Sequence, residues 1–300
     1  MFRILLFGSN GQLGRTLIQN INKRHSLITC SRKDLNLEET NKIESFIDEI
    51  KPDLIINAAA YTNVDQAELN KKLSFLINSE AVEKIAIAAL KKNIYLIHYS
   101  TDYVFNGLKK LPYEEIDNPE PINVYGKSKL EGELKIQNLL SKFIILRVSW
   151  VIGKNGKNFV NKILDLSQKN SSLKIVNDQF GTPTSTNLIS KVTNNIIESV
   201  ILSKNWPSGI YHLSSKGRTS WFEMAKKIVE IASYEIPNFP ILPSNIVPIK
   251  TLELNLLAKR PLNSILNTSK LKKELKWNLP KWDEDFSDIV TKIISTNKSS

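Results

Sequence analysis

Residues 123–133 read NVYGKSKLEGE and set Tyr125 and Lys129 four positions apart. On a helix that spacing puts both side chains on one face. A phenol with an ordinary pKa near ~10 is a poor proton donor or acceptor at neutral pH. A protonated lysine beside it favours the phenolate and brings it into use as an acid–base group. The pair alone decides nothing. With 8 tyrosines and 41 Lys+Arg in 300 residues, about one such spacing arises by chance. The rest of the chain has to supply the context.

That context begins at FGSNGQLG, residues 7–14, where Gly8, Gly11 and Gly14 follow the apolar run RILLF and open a helical stretch. One glycine permits a tight turn, one lets the backbone approach a pyrophosphate, and one lets helix and strand pack closely. The helix start adds unpaired N–H groups and a positive dipole end. This placement predicts a dinucleotide site, with Asn10, Gln12 and Leu13 completing the turn. A bound oxidised nicotinamide would add a second positive charge favouring phenolate. The second strand candidate ends in TCSRKD, with no acid at Cys30 or Ser31 and with Arg32 and Lys33 next. Those cations suit the 2′-phosphate of NADPH. Asp34, followed by Leu35, lies near enough to serve the ribose diol of NADH, and Arg32 facing solvent is the plain alternative.

The elements that must position these residues alternate. RILLF (3–7), SLITC (26–30), DLIINAA (53–59), IYLIHYS (94–100) and FIILRVS (143–149) are nearly continuous apolar runs. Parallel strands covered on both faces read this way. Helical patterns run from Gln12 to Lys23, Glu39 to Ile50, Ser74 to Lys92 and Tyr125 to Leu140. The expected fold is therefore α/β: a Rossmann-type doubly wound parallel sheet over residues 1–150. Residues 151–300 are expected to form a smaller α/β substrate lobe, with room for segments that return to the first domain. Its helices are read at 159–169, 187–203 and 219–232, its strands at LKIV (173–176) and IYHLS (210–214), and a connector from Pro237 to Pro248. Ligands in such folds bind beyond the carboxyl ends of the strands. HYSTDYVFNG (98–107) puts Thr101 and Asp102 at one such end, where a hydroxyl can hold a carbonyl oxygen beside the tyrosine.

Composition narrows the classes. The chain is 41% hydrophobic and 24% charged, as globular proteins are. Its single cysteine excludes an internal disulfide framework, and no Cys/His cluster has metal-ligand spacing. The opening MFRILLFGSNG is too short in its apolar run for a secretory signal, and no later run approaches the ~18 residues of a membrane span. A cytoplasmic enzyme or binding protein is the expectation. The net charge of +11 is spread over scattered lysines, without the aromatic interleaving of a nucleic-acid groove.

Taken together, these blocks resemble the extended short-chain dehydrogenase/reductase superfamily, and within it the branch that reduces dTDP-4-keto-6-deoxy sugars. FGSNGQLG, NAAAYTNVDQAE (57–68), HYSTDYVFNG, NVYGKSKLEGE, LRVSWVIG (146–153), DQFGTPT (178–184) and RPLNS (260–264) follow in that branch's order nearly end to end. The resemblance implies reduction of a C4 ketone on a dTDP-sugar by NADPH, with NADH as the second choice. Tyr125 would protonate the alkoxide, Lys129 would bind the nicotinamide ribose and tune Tyr125, and Thr101 would hold the sugar oxygen. Asp102 and Trp150 would lie against the sugar, Ala60, Tyr61 and Thr62 against the cofactor, and Arg260 against the diphosphate. Some members of the branch use magnesium through acids at a dimer contact. No such acids are recognisable in the tail IVTKIISTNKSS, which leaves magnesium and a homodimer open.

Plainer readings stand beside these. His98 and His212 suit core or subunit-contact histidines, and Cys30 a buried small residue. Trp150 is divided between core packing and the cleft. DQFGTPT suits a turn, with a Gln179 or Phe180 contact to substrate as the lesser alternative. Trp206, Trp221, Trp277 and Trp282 are expected to fill or cover the core. Two other functions share the fold. One is an epimerase or dehydratase that retains NAD⁺; Thr101 is followed by Asp102 and Tyr103 rather than Asp-Glu, which counts against dehydration. The other is a non-catalytic NADP-binding regulatory subunit such as that of methionine adenosyltransferase.

Overall fold

A computed structural model describes residues 2–156, 158–203 and 208–298. Six parallel strands form the central sheet: β1 (Arg3–Phe7), β2 (Ser26–Cys30), β3 (Leu54–Asn57), β4 (Tyr95–Thr101), β5 (Phe143–Val148) and β6 (Gly209–Leu213). Their spatial order is β2-β1-β3-β4-β5-β6, so the winding reverses between β1 and β3. The crevice outside that reversal is where a doubly wound sheet takes its ligand.

Side chains alternate along each strand, which sends neighbouring residues to opposite faces. Ile4, Leu6, Leu54, Ile56, Ile97 and Leu146 meet α1 (Gln12–Asn20) on one face, joined by Leu188, Ile189 and Val192 from a later helix. Leu5, Phe7, Ile55, Leu96 and Ile145 meet α2 (Ile43–Ile50), α3 (Ala81–Lys92) and α4 (Val124–Leu139) on the other. Burial on both faces is why these strands lack a polar alternation. The sheet and its helices are the Rossmann-type doubly wound arrangement expected.

The second half adds α5 (Phe159–Ser167), α6 (Thr186–Ser203), α7 (Trp221–Glu235) and α8 (Trp282–Lys298). Of these, α6 supplies Leu188, Ile189 and Val192 to the sheet. The others form a separate core around Ile163, Met224, Ile228, Phe286, Val290 and Ile293. Several expectations change here. IYHLS is not a lobe strand: as β6 it pairs parallel with β5 and extends the main sheet. LKIV is a strand, but its partner is Ile246–Ile249, which lies across the end of the expected Pro237–Pro248 connector. The helix expected from Ser74 begins at Lys71 and passes through a π turn, Leu76–Glu80, before α3. α8 was not anticipated, because its apolar stripe begins only after an acidic first turn. Trp206 lies outside the described residues. No helix among the described residues is long and apolar enough to cross a membrane.

Candidate active site

The residues of NVYGKSKLEGE each have a local reason. Asn123 caps α4 by accepting the Gly126 N–H at 2.8 Å, and it also donates to the Lys259 carbonyl at 2.9 Å. A Cβ at Gly126 would stand 2.1 Å from the Tyr103 carbonyl oxygen, so glycine alone lets α4 close on the turn that follows β4. A Cβ at Gly132 would likewise meet the Asn78 carbonyl at 2.2 Å. Ser128 bonds the hydroxyl of Ser74 at 2.9 Å and the amide of Asn78 at 3.0 Å. Glu133 receives the fully buried Arg147 of β5 at 2.6–3.1 Å. With the helix pinned in this way, Tyr125 packs edge-on against Tyr103, ring centroids 5.9 Å apart, and faces the end of β4.

Two clefts open at the carboxyl ends of the strands. The larger, about 490 Å³, is lined by Thr101, Asp102, Tyr125, Lys129 and Trp150, together with Gly11, Gln12, Leu13, Ala60 and Thr62. The smaller, about 300 Å³, is lined by Gly8, Asn10, Gly11, Arg32, Leu35, Ala60 and Tyr61. Both touch Gly11 and Ala58–Ala60, so they join at the reversal between β1 and β3. Three expected residues line neither. Gly14 instead packs under the turn, where a Cβ would come within 2.2 Å of the Gly8 carbonyl. Asp34 is turned back onto Ser31, accepting from its N–H and its hydroxyl at 2.7 Å each. Arg260 grips Asp65 with two bonds, 2.9 and 2.7 Å.

A dinucleotide fits this turn. Gly8 has φ +79°, a conformation that glycine adopts freely, and α1 follows its N-cap Gly11 with no side chain capping its N–H groups. Those donors border both clefts. Arg32, paired with Glu38, sits at the far end of the smaller one. Among the described residues no group of three His, Cys, Asp or Glu could hold a metal ion.

Electrostatics at the larger cleft departs from one expectation. The protein's own groups push the Tyr125 phenol up to about 12, because burial outweighs the nearby Thr101 hydroxyl; Asp102 also raises it. An unusually acidic phenol is therefore not what the fold provides. Burial also lowers Lys129 to about 8, against a smaller opposing effect of Glu133. Asp102 is raised to about 6 by burial, although Ser264, Ser149 and Thr101 hydroxyls favour its carboxylate. Thr101 and Ser149 reach its two oxygens at 3.1 Å each.

Sequence reasoning missed part of the wall. Trp221 covers the edge of the lobe core, as expected, and it also stacks on Trp150 at 3.9 Å, so that both indoles face the larger cleft with Phe159 and Asn158. Trp150 has φ +42°, a left-handed conformation that a bulky residue rarely takes. DQFGTPT is more than a turn, for a Cβ at Gly181 would lie 2.4 Å from the Trp150 ring. Gln179 contributes structurally, by a bond to Thr251 at 3.1 Å. His212 binds the Tyr113 carbonyl and lines neither cleft, whereas His98 touches Lys129. No local pattern marks Trp221 or His98, because their partners lie about 30–70 residues away along the chain.

The model of the RmlD substrate binding domain matches residues 2–295. A dTDP-4-dehydrorhamnose reductase of Aggregatibacter actinomycetemcomitans is 38% identical over 96% of this chain and 98% of its own length. The reductase of that name from Escherichia coli K12 is 36% identical over 98% of each. Among solved structures, a dTDP-4-dehydrorhamnose reductase from Bacillus anthracis in complex with NADP superposes with a TM-score of 0.86 at 35% identity. It covers 96% of this chain and 98% of its own. Since the match runs through the sheet, the lobe and both clefts alike, the chain belongs to the family of the RmlD substrate binding domain.

Proposed function

We propose that this protein reduces the C4 ketone of dTDP-4-dehydro-L-rhamnose to dTDP-L-rhamnose with NADPH, the last step in making that nucleotide sugar. The observation that carries the reading is the meeting of Thr101, Tyr125 and Lys129 in one cleft that adjoins the uncapped start of α1. The names of the full-length relatives support the substrate, and the NADP complex of one supports the cofactor. When bound, the reduced cofactor supplies a hydride. The residues that would hold it are the Gly8–Gly14 turn, Ala60–Thr62, Lys129 and, at the 2′-phosphate, Arg32. Asp34 is occupied by Ser31, which favours NADPH over NADH.

The chain's residues then divide the work. Thr101 holds the carbonyl oxygen beside Tyr125. The phenol, kept protonated by burial, gives its proton to that oxygen as it becomes an alkoxide, a stronger base than phenolate. Trp150 and Trp221 present a flat wall to the sugar, and Asp102 lies beneath it. Arg260, which lines neither cleft here and is paired with Asp65, would trade Asp65 for the diphosphate, a group a guanidinium grips bidentately. In this division residues 1–150 carry the dinucleotide, and most of 151–300 carries the sugar nucleotide.

The test follows NADPH oxidation with the 4-keto nucleotide sugar and identifies the product. Tyr125→Phe is expected to lose at least ~100-fold in kcat with its fold intact. Equal rates remove Tyr125 from the chemistry. Tight NADP binding without turnover of any 4-keto nucleotide sugar would instead favour a regulatory subunit.

A further inference from the structure

Gln12 opens α1 inside the glycine turn, yet its side chain is engaged by the lobe. Its Oε1 accepts the Gly153 N–H at 3.0 Å and the Asn158 side-chain amide at 3.1 Å. The directions of these bonds are fixed. Asn158 Oδ1 caps α5 by accepting the Asn161 N–H at 3.2 Å, so Asn158 turns its NH₂ to Gln12, and Gln12 answers with its oxygen. The same NH₂ donates to the Gly153 carbonyl at 2.8 Å. Two glycines make room for the glutamine stem. A Cβ at Gly153 would come 2.9 Å from Gln12 Cβ, and one at Gly156, where φ is +94°, 3.1 Å from Gln12 Cγ. Thr16, four residues on and so on the same face of α1, meets the Thr186 hydroxyl at the start of α6, 2.8 Å away. The first two turns of α1 are thus fastened to the second half of the chain.

From Asn158 the contacts continue to the wall of the larger cleft. Phe159, the next residue, meets Trp221 edge-on at 4.7 Å, and Trp221 stacks on Trp150 at 3.9 Å. Gln12, Asn158, Phe159 and both indoles line that cleft. At the other end of the row, Gly11 offers α1 no side-chain cap. An uncapped first turn is the part of a helix held least firmly. A diphosphate that accepts from its N–H groups supplies the cap, and so holds Gln12 in the helical position from which Oε1 reaches Asn158.

We infer that Gln12 is a positioning residue that couples the two ligands: a dinucleotide on the turn seats the start of α5 through Gln12, and so sets Phe159, Trp221 and Trp150 against the sugar. The two states are an α5 start seated on Gln12 and one released from it. The diphosphate favours the first, because the N–H groups that bind it converge only in an ordered first turn. The coupling is reciprocal, so the nucleotide sugar tightens the dinucleotide by the same factor. The sugar is then held best where a hydride donor is already in place. The inference deepens the proposed reduction and rests on it for the identity of the sugar ligand. A contact that only stabilised the lobe would change the affinity for each ligand alike, whether or not the other site were filled.

Calorimetry on the full chain with two unreactive probes tests this. 2′-Phospho-ADP-ribose carries the diphosphate without the nicotinamide, and dTDP-L-rhamnose carries the sugar. In the wild-type chain the first is expected to tighten the second about tenfold, an ordinary coupling between sites. dTDP, with no sugar to lie against the indoles, should tighten less than about twofold. Gln12→Met keeps the stem and the backbone N–H but loses the acceptor. Asn158→Ser keeps a good cap for α5 but is too short to reach Gln12. Each should bring the factor for dTDP-L-rhamnose below about twofold, and the double variant should do no more than either alone. Gln12→Glu, which keeps an acceptor oxygen, should retain the coupling. A wild-type factor near one, an equal tightening of dTDP, or a factor unaltered in both folded variants overturns the inference. Failure of dTDP-L-rhamnose to bind at all would refute the proposed substrate instead. The coupling is then read from indole emission, which 2′-phospho-ADP-ribose should shift in the wild-type chain and not in Gln12→Met; no shift in the wild-type chain overturns it.

Discussion

At the scale of single residues, the titratable groups of the larger cleft are held by burial more than by opposite charge. Tyr125 and Asp102 are both displaced toward their protonated forms. For the proposed reduction this is the useful direction, since Tyr125 would have to carry a proton when the alkoxide forms. It has a cost in stability. The native pKa of Asp102 is about 6, against an ordinary value of 3.8, so the folded chain keeps this proton longer than the unfolded chain does. Stability from this group is intact below about pH 4 and is lost as pH rises through about 6. Asp102→Asn, which cannot ionise, should therefore unfold at higher urea near pH ~7, by up to ~2–3 kcal/mol, and show little change near pH ~4. Equal effects at both pH values would mean that the carboxylate is not the penalised form.

At the scale of elements, glycines decide whether the site assembles. Gly126 and Gly132 let α4 lie against the turn after β4 and against the π turn before α3, which aims Tyr125 and Lys129 inward. Gly181 performs the corresponding task for the lobe: it leaves room for the indole of Trp150, which rests on Trp221. Gly181→Ala should push that indole into the cleft. We expect KM for the sugar nucleotide to rise about tenfold or more, as small displacements of positioning groups commonly do. A change in tryptophan emission should accompany it, with far-UV circular dichroism unaltered. Wild-type KM in this variant would take Trp150 out of substrate binding. The spacing of Tyr125 and Lys129 showed that they share a face, and Gly181 was visible within a turn motif. What that glycine makes room for was not visible, because Trp150 sits 31 positions earlier.

Across the whole molecule, one buried ion pair joins the helix that carries Tyr125 and Lys129 to the sheet. Arg147 and Glu133 are nearly or wholly inaccessible, and they bind through three contacts between β5 and α4. Glu133→Ala would strand the guanidinium in the core. A loss of ~3–5 kcal/mol is expected on equilibrium denaturation, because an unpaired buried charge keeps its desolvation cost. A loss below about 1 kcal/mol, the range of exposed pairs, would show that water reaches Arg147. Arg260 and Asp65, 195 residues apart, tie the C-terminal half to the segment after β3.

The sequence by itself determined what depends on neighbours a few residues away. The apolar runs became β1 to β5 nearly residue for residue, because a strand buried on both faces, as all of these but the edge strand β2 are, must be continuously apolar. The glycines of FGSNGQLG, the Asn123 cap and the Tyr125–Lys129 face follow from local sterics and helical period. Only the tertiary structure decided that Gly209–Leu213 completes the main sheet rather than the lobe. It alone turned Asp34 onto Ser31, set Trp221 against Trp150, and brought His98 to Lys129 and Asn158 to Gln12. An edge strand reads alike in either sheet, and a hydrogen bond between distant side chains joins groups that meet only after the chain has folded.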